Sequence, residues 1–486
     1  MTEKNSEKLR FGTKIAYGVG DTFGGGALIV IGIYYLYFLT DVVKIDPALA
    51  GIVLLLSKVW DAVSDPIMGF ISDRTRTRFG RRRPYFLAGI IFVFLATFLL
   101  WYPVDFDLEL HRFVFVLFAY IFFSTIITMV HVPYTALSSE LTLDYSERTS
   151  LVSVRMWFSG LSALVCAAIP LEVVKHFPDV RHGYITMGIF LGLFFALPFI
   201  AVFLFTRERP EFQSEVQPID VRRTIREFME PFRMRSFRNV LWMYVFSFMT
   251  FDVVMAIIIY FMTYYLKKSD QTNYVFATLF IIKLVFIPVL YVLSQRLNKK
   301  TSFAYFCFFM LITMLLSFVI APDSSMIVLH LFAAALGIAV GGIAVLVWAI
   351  FPDITDVDEL YSGLRREGIY SGIFTFARKV SSAVALFIIS IAMSLAGYRP
   401  PVKETVDGVV KMIPQEQTGE FIIVLRVVFV VVPAIFLLIS FLNSVRYPLS
   451  PALHNRLKDF LIKRRSGKGK PDLLAAQERE FKEILI

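Results

Sequence analysis

Charge and cysteine are both scarce in this chain of 486 residues. Only 18% of its residues are Asp, Glu, Lys or Arg, against about 25% in ordinary globular domains. The two cysteines, Cys166 and Cys307, both fall in apolar stretches, which excludes a disulfide framework. No loop carries a glycine-rich phosphate cradle, a metal-ligand cluster or a nucleophile–base set, so an enzyme is not expected. No resident cofactor is expected either. What fills the space is apolar: 57% of the chain is hydrophobic, and Phe alone occurs 50 times, once more than Lys and Arg together at 49.

Apolar blocks of about 20 residues recur, each long enough for a ~30 Å hydrocarbon core. Spans are expected near 14–40, 48–72, 85–103, 113–137, 153–175, 184–206, 240–266, 273–294, 302–320, 326–351, 370–396 and 420–445. The first does not read as a cleaved leader, because it is too long and others follow. Twelve spans put both termini on one side, and basic residues choose the side. Arg74, Arg76, Arg78, Arg81, Arg82 and Arg83 share one short loop. Eight arginines lie in 207–238 and ten basic residues follow 445, whereas the opposite loops hold scattered ones such as Lys44, Arg112 and Arg181. Both termini are therefore expected in the cytoplasm. The net charge of +10 reads as this topology signal and as an attraction for anionic lipid, not as a nucleic-acid surface.

The longest internal polar segment divides the spans six and six. Expected domains are a six-helix half over 1–206, a cytoplasmic linker over 207–239, a second six-helix half over 240–445 and a tail over 446–486. The linker's VRRTIREFMEPF stretch reads as an interfacial helix; the tail is polar, and its KRRSGKGKPD stretch reads as flexible. Two such halves are the layout of the major facilitator fold, an all-α membrane architecture. SSELTLDYSERTS after span four and FPDITDVDELYSGLRREG after span ten stand at matching places in the halves, and both pair acids with arginines. They read as a duplicated gate, in which Glu140, Arg148, Asp353 and Arg365 join Asp73, Arg74 and Arg82 of the loop after span two.

Charges inside the spans need a reason, since each carboxylate at mid-depth costs roughly 2.5–3.5 kcal/mol on insertion scales. VWDAVSDPIMG places Asp61 and Asp65 four residues apart on one helix face, with Lys58 on the same face and Ser64 adjacent. Pro66 frees a backbone carbonyl nearby. Paired carboxylates with neighbouring oxygens suit a small hard cation or a shared proton. TFARKVSSA puts Arg378 and Lys379 deep in span eleven, where a lysine needs an anion and the aspartates are candidates. Arg155 either snorkels or faces the interior. His131 is either a packing or a solute-contacting group. Asp21 and Gly24–Gly26 either line a cavity or permit close packing. Asp252 and Lys283 are expected to pair locally or to face the other entrance.

GFISDRTRTRFGRRRP (69–84) resembles the major facilitator signature G-x-x-x-D-R-x-G-R-R with four extra residues. With WDAVSDPIMG before it and PYTALSSELTLDYSERT after span four, the chain is similar to the glycoside-pentoside-hexuronide:cation symporters, the melibiose permease family, over about 9–445. That resemblance implies a cation site at Asp61, Ser64, Asp65 and Thr128, a lysine bridging the halves at Lys379, and solute contacts at Trp348 and Arg155. It also shows departures. Where the melibiose permease grips sugar with acids in spans one and four and a tryptophan four positions later, this chain has Gly25, His131 and Thr135. The HVPY spelling around His131 is similar to the sodium-dependent lysophospholipid carriers of the same superfamily. The expectation is a monomeric symporter in the cell membrane, coupling Na⁺ or H⁺ to import of a sugar, glycoside or uronate-type solute. Its donors, His131, Thr135, Tyr134, Arg155, Trp348 and Lys379, favour an acidic solute, and a lysophospholipid is the alternative.

Overall fold

A computed structural model describes residues 9–142, 145–208, 226, 228–296, 298–363, 366–406, 409–465 and 471–486. Among them are twelve helices long and apolar enough to cross a membrane: α1 (Phe11–Tyr35), α2 (Pro47–Arg74), α3 (Arg83–Leu100), α4 (Glu109–Ser138), α5 (Ser150–Lys175), α6 (Val180–Phe205), α7 (Arg235–Tyr265), α8 (Ser269–Ile287), α9 (Lys299–Val319), α10 (Met326–Ser362), α11 (Ile369–Leu395) and α12 (Gly419–Arg446). All twelve expected spans are present. The chain is a multi-pass membrane protein, 85% helical.

Local chemistry sets the helix ends. Asp46 caps α2 by accepting the Ala48 amide at 2.8 Å ahead of Pro47, and Asn298 caps α9 through the Lys300 amide at 3.0 Å. Gly363, at φ 75°, closes α10 in the left-handed conformation that glycine adopts most easily. Prolines 66, 133, 352 and 433 sit inside helices, as membrane helices tolerate. Large apolar side chains face outward, Leu395 and Val319 among the most exposed, while Asp21, Asp61 and Asp252 are buried. That inversion of the soluble pattern is what a lipid solvent requires.

One compact unit comprises Met1–Gln217, Met255–Phe280 and Leu386–Leu425, and a second comprises Pro218–Val254, Ile281–Ala385 and Arg426–Ile486. Between α11 and α12, in the first unit, Val402–Val406 (β1) and Val409–Ile413 (β2) form an antiparallel hairpin that the hydropathy pattern did not announce. Of the KRRSGKGKPD stretch expected to be flexible, residues 466–470 lie outside the described residues and the flanking 463–465 and 471–472 are helical. Pro451–Arg465 (α13) and Pro471–Leu485 (α14) are helices packed in the second unit, with Phe460 against Phe481 and Arg456 on Glu480 at 2.9 Å. Ser236 Oγ donates to the Leu485 carbonyl at 2.6 Å, tying the tail to the start of α7. Half of the linker stretch expected as an interfacial helix lies outside the described residues, and Glu230–Arg233 forms a single 3₁₀ turn.

Helices α1 and α7, the first of each half by sequence, carry the same terminal device. Phe38–Val42 (FLTDV), beyond the end of α1, and Phe261–Tyr265 (FMTYY), at the end of α7, are π-helical turns. Each is followed by a left-handed lysine, Lys44 at φ 62° and Lys267 at φ 54°. The closing bonds match: Val43 N to Phe38 O and Ile45 N to Leu39 O are repeated by Leu266 N to Phe261 O and Lys268 N to Met262 O.

Candidate functional site

Of the four residues expected to hold a cation, Ser64, Asp65 and Thr128 are linked through their side chains in the first unit, and Asp61 meets Ser64 through its main-chain carbonyl. On α2, Asp61 is buried and receives Lys58 Nζ at 3.3 Å. One turn on, Asp65 Oδ1 accepts a 2.8 Å hydrogen bond from Thr128 Oγ1 of α4. Ser64 Oγ lies 3.4 Å from that same hydroxyl and 3.4 Å from the Asp61 carbonyl. Trp60 Nε1 donates to Thr125 Oγ1 at 2.8 Å, fixing α2 against α4 one turn away. The Asp65 carboxylate, two hydroxyls and the Asp61 carbonyl are oxygen ligands, the kind a hard cation takes rather than a transition metal, and the Asp61 carboxylate stands one turn away on Lys58.

A second cluster in the same unit involves Asp21, His131 and Arg155. Asp21 Oδ1 is 3.1 Å from Arg155 Nε and 3.7 Å from His131 Nε2. The guanidinium therefore turns inward, and Tyr134, whose ring lies 5.6 Å beneath it, is itself stacked on Tyr17 at 4.7 Å. The glycine run serves packing. A Cβ at Gly24 would stand 2.5 Å from His131 Nε2, and one at Gly25 2.2 Å from Ser159 Oγ. Gly25, expected at the solute, is thus pressed against α5, and Thr135 Oγ1 is returned to the Val132 carbonyl at 3.0 Å.

In the second unit Asp252 does not pair with Lys283. It takes both terminal nitrogens of Arg378, at 2.5 and 2.7 Å, because the planar guanidinium matches a carboxylate fork. Lys379, the next residue, is half-buried, and Trp348 on α10 is 53% exposed with its ring edge against Tyr244.

Of the expected gate residues, Asp73 meets Arg82 at 3.3 Å, while Arg74 lies over the Phe70 ring. Asp353 takes Lys299 at 2.8 Å and stands 3.8 Å from His454 of α13. The side chains of Glu140 and Arg148, and Arg365 altogether, lie outside the described residues. Arg366, the neighbour of Arg365, binds Asp358 and Glu230.

Two residues escaped the sequence reading. Glu208 accepts the backbone amides of Arg81, Arg82 and Arg83 at 2.6, 2.6 and 2.9 Å, closing the basic loop onto the end of α6. Asp41, in the π turn beyond α1, is 2% exposed and accepts from Thr40 and Tyr398 at 2.6 Å each and from Tyr264. Burial pushes its carboxyl up to about 6, against the opposing pull of those three hydrogen bonds. The signal that could have found it is the pair FLTDVVK (38–44) and FMTYYLK (261–267), in which Asp41 and Tyr264 are equivalent positions that bond to each other.

The MFS/sugar transport protein family model matches residues 16–451. The chain belongs to this family. Among its relatives is YagG of Escherichia coli (strain K12), a candidate glycoside/cation symporter by name, 26% identical over 96% of this chain and 99% of that protein. The sodium-dependent lysophosphatidylcholine symporter 1 of Gallus gallus is 26% identical over 82% of this chain and 81% of its own. Within the family's wider fold, the inward-open xylose transporter XylE from E. coli superposes with TM-score 0.63 at 12% identity, covering 92% of this chain and 98% of its own. At that identity the likeness is one of fold. These two relatives are symporters by name, one for glycosides and the other for lysophosphatidylcholine, and each matches this chain over most of its length.

Proposed function

We propose that the chain is a cation-coupled symporter of the cell membrane that imports a sugar, glycoside or uronate-type solute by alternating access, with both termini in the cytoplasm. The observation that carries the reading is the linked oxygens of Ser64, Asp65, Thr128 and the Asp61 carbonyl, with the Asp61 carboxylate one turn away, inside a carrier fold. Na⁺ or H⁺ is cargo here. Binding a cation between the carboxylates neutralises charges that are otherwise costly in the membrane, so the loaded site can cross and the unloaded one resists crossing. Each monovalent cation moved inward gains about 2.3 kcal/mol per 100 mV, enough for roughly fifty-fold accumulation before a chemical gradient is counted.

Supporting a sugar-type solute are the named relatives and the polar groups of the Asp21–His131–Arg155 cluster. One observation favours the lysophospholipid alternative. An apolar cavity of about 540 Å³ lies between α1, α5 and α6, lined by Val19, Thr22, Phe158, Leu161, Leu193 and Leu197, one turn from Arg155. A lipid tail needs an opening of that kind.

Uptake into proteoliposomes under an imposed Na⁺ or proton gradient tests the assignment. Asp61→Asn and Asp65→Asn should each abolish gradient-driven accumulation, while downhill exchange survives in one of them. If both variants concentrate solute normally, the oxygen set is not the coupling site. Competition by glycosides and uronates against lysolipids separates the two solute readings.

A further inference from the structure

The donors around Arg155 led the sequence reading toward an acidic solute, but the structure brings a counter-charge with them. Asp21 is 3% exposed, and its Oδ1 lies 3.1 Å from Arg155 Nε with the N–H not aligned on that oxygen. The groups facing this carboxylate are Tyr17 on its own helix, His131 and Tyr134 on α4, and Arg155 on α5. Tyr134 is buried beside it, with its hydroxyl donating to the Tyr17 carbonyl at 2.6 Å. The carboxylate is too deep to touch a solute itself. It acts on the guanidinium, which keeps 18% of its side-chain surface accessible while its Nε edge faces inward.

We infer that Asp21 is a positioning residue that cancels the charge of Arg155 and so tunes this grip to uncharged, hydroxyl-rich solutes over carboxylate-bearing ones. The inference rests on the glycoside reading above. With Asp21 ionised, the pair is neutral and offers N–H donors from the outer edge of the guanidinium. A hydroxyl or ring oxygen accepts from those donors without bringing charge. A solute carboxylate would meet the same donors with Asp21 close behind them, and two like charges around one guanidinium repel in a poorly screened interior. Gly24 is part of the arrangement. Only a residue without a Cβ lets the His131 ring lie this close to α1 beside Asp21.

The test uses matched solutes that differ only at carbon 6: methyl glucoside against methyl glucuronide, and methyl galactoside against methyl galacturonide. Affinities are measured by titration calorimetry on the purified full-length protein at fixed Na⁺ and pH. Wild type should bind the neutral member of a pair more tightly. Asp21→Asn exposes an uncompensated guanidinium, so the acid-to-neutral affinity ratio should rise about tenfold. Arg155→Gln leaves an uncompensated carboxylate, so the ratio should move the opposite way. Asp21→Glu keeps the charge, so its ratio should stay near that of wild type even where both affinities fall. Melting temperatures without solute identify a variant that does not fold, and the remaining variants still read the ratio. Equal weakening of both members in Asp21→Asn, or a wild-type preference for the acid, overturns the inference. If no member of any pair binds wild type, the glycoside reading itself fails, which is a separate result.

Discussion

Replacing Asp41 with Asn removes the one carboxyl from a cluster of hydroxyls. Around it stand Thr40, Tyr264 and Tyr398, with Tyr260 bonded to Thr40 at 2.7 Å. A rise from 3.8 to about 6 means that the folded protein prefers the protonated acid by about 3 kcal/mol relative to the unfolded chain. The sign follows from the direction. A carboxyl whose pKa is raised on folding stabilises the folded state below the unfolded pKa, and that contribution is lost as pH climbs through the folded value. The window is therefore about pH 4 to about 6. Asn is neutral at every pH and close in shape. Whatever the fixed offset between the two proteins, wild-type stability relative to Asp41→Asn should fall by up to about 3 kcal/mol from about pH 4 to about pH 7. The assay is denaturant or thermal unfolding of both purified proteins in the same detergent across that range. A difference that does not change with pH, or that grows in favour of wild type toward neutral pH, would refute the assignment.

Other perturbations follow from the same contacts. Asp252→Asn leaves Arg378 with half its partner, and stability should drop by about 3 kcal/mol, with partial recovery when Arg378→Gln is added; unfolding of the single and double variants measures both. Glu208→Ala takes the acceptor from three amides of the basic loop and should cost about 1–3 kcal/mol, with faster hydrogen exchange confined to residues 81–83 and the start of α3 as the readout.

The spans were legible because hydropathy is a sum over about 20 residues, and a sum tolerates interruptions such as Pro133 or His131. The carboxylate pair on α2 was legible because four residues of helix are a fixed geometry. Partners were another matter. The sequence shows that Asp252 and Arg378 are each costly, but 126 positions separate them, and Lys283 is just as plausible a partner until the chain is folded. Asp21 and Arg155 are a similar case, as is Glu208 reaching back to the loop before α3. The two tail helices were not legible either, for a different reason. They are too polar for a hydropathy argument, and what orders them is a few contacts, such as Phe481 and Leu485 buried within the second unit. Asp41 alone left a readable trace, the repeated seven-residue string, because duplicated geometry keeps duplicated residues.

The π turns Phe38–Val42, beyond α1, and Phe261–Tyr265, at the end of α7, also have a consequence for helix phase, to which α1 adds a further π turn at Ile31–Tyr35. A residue added to or removed from an α-helix turns everything beyond it by about 100°, and a π turn absorbs one such residue locally. The tip of each helix is thereby indexed separately from its shaft: Asp21 and its neighbours answer to one angular frame, Asp41 and Thr40 to another. Deleting Tyr37 would leave the shaft contacts in place and swing Asp41 away from Tyr264 and Tyr398, although the hydropathy of the span would hardly change. Chimaeras between relatives must therefore exchange residues 38–44 or 261–267 as whole blocks, since a junction inside either block preserves composition and loses the angle.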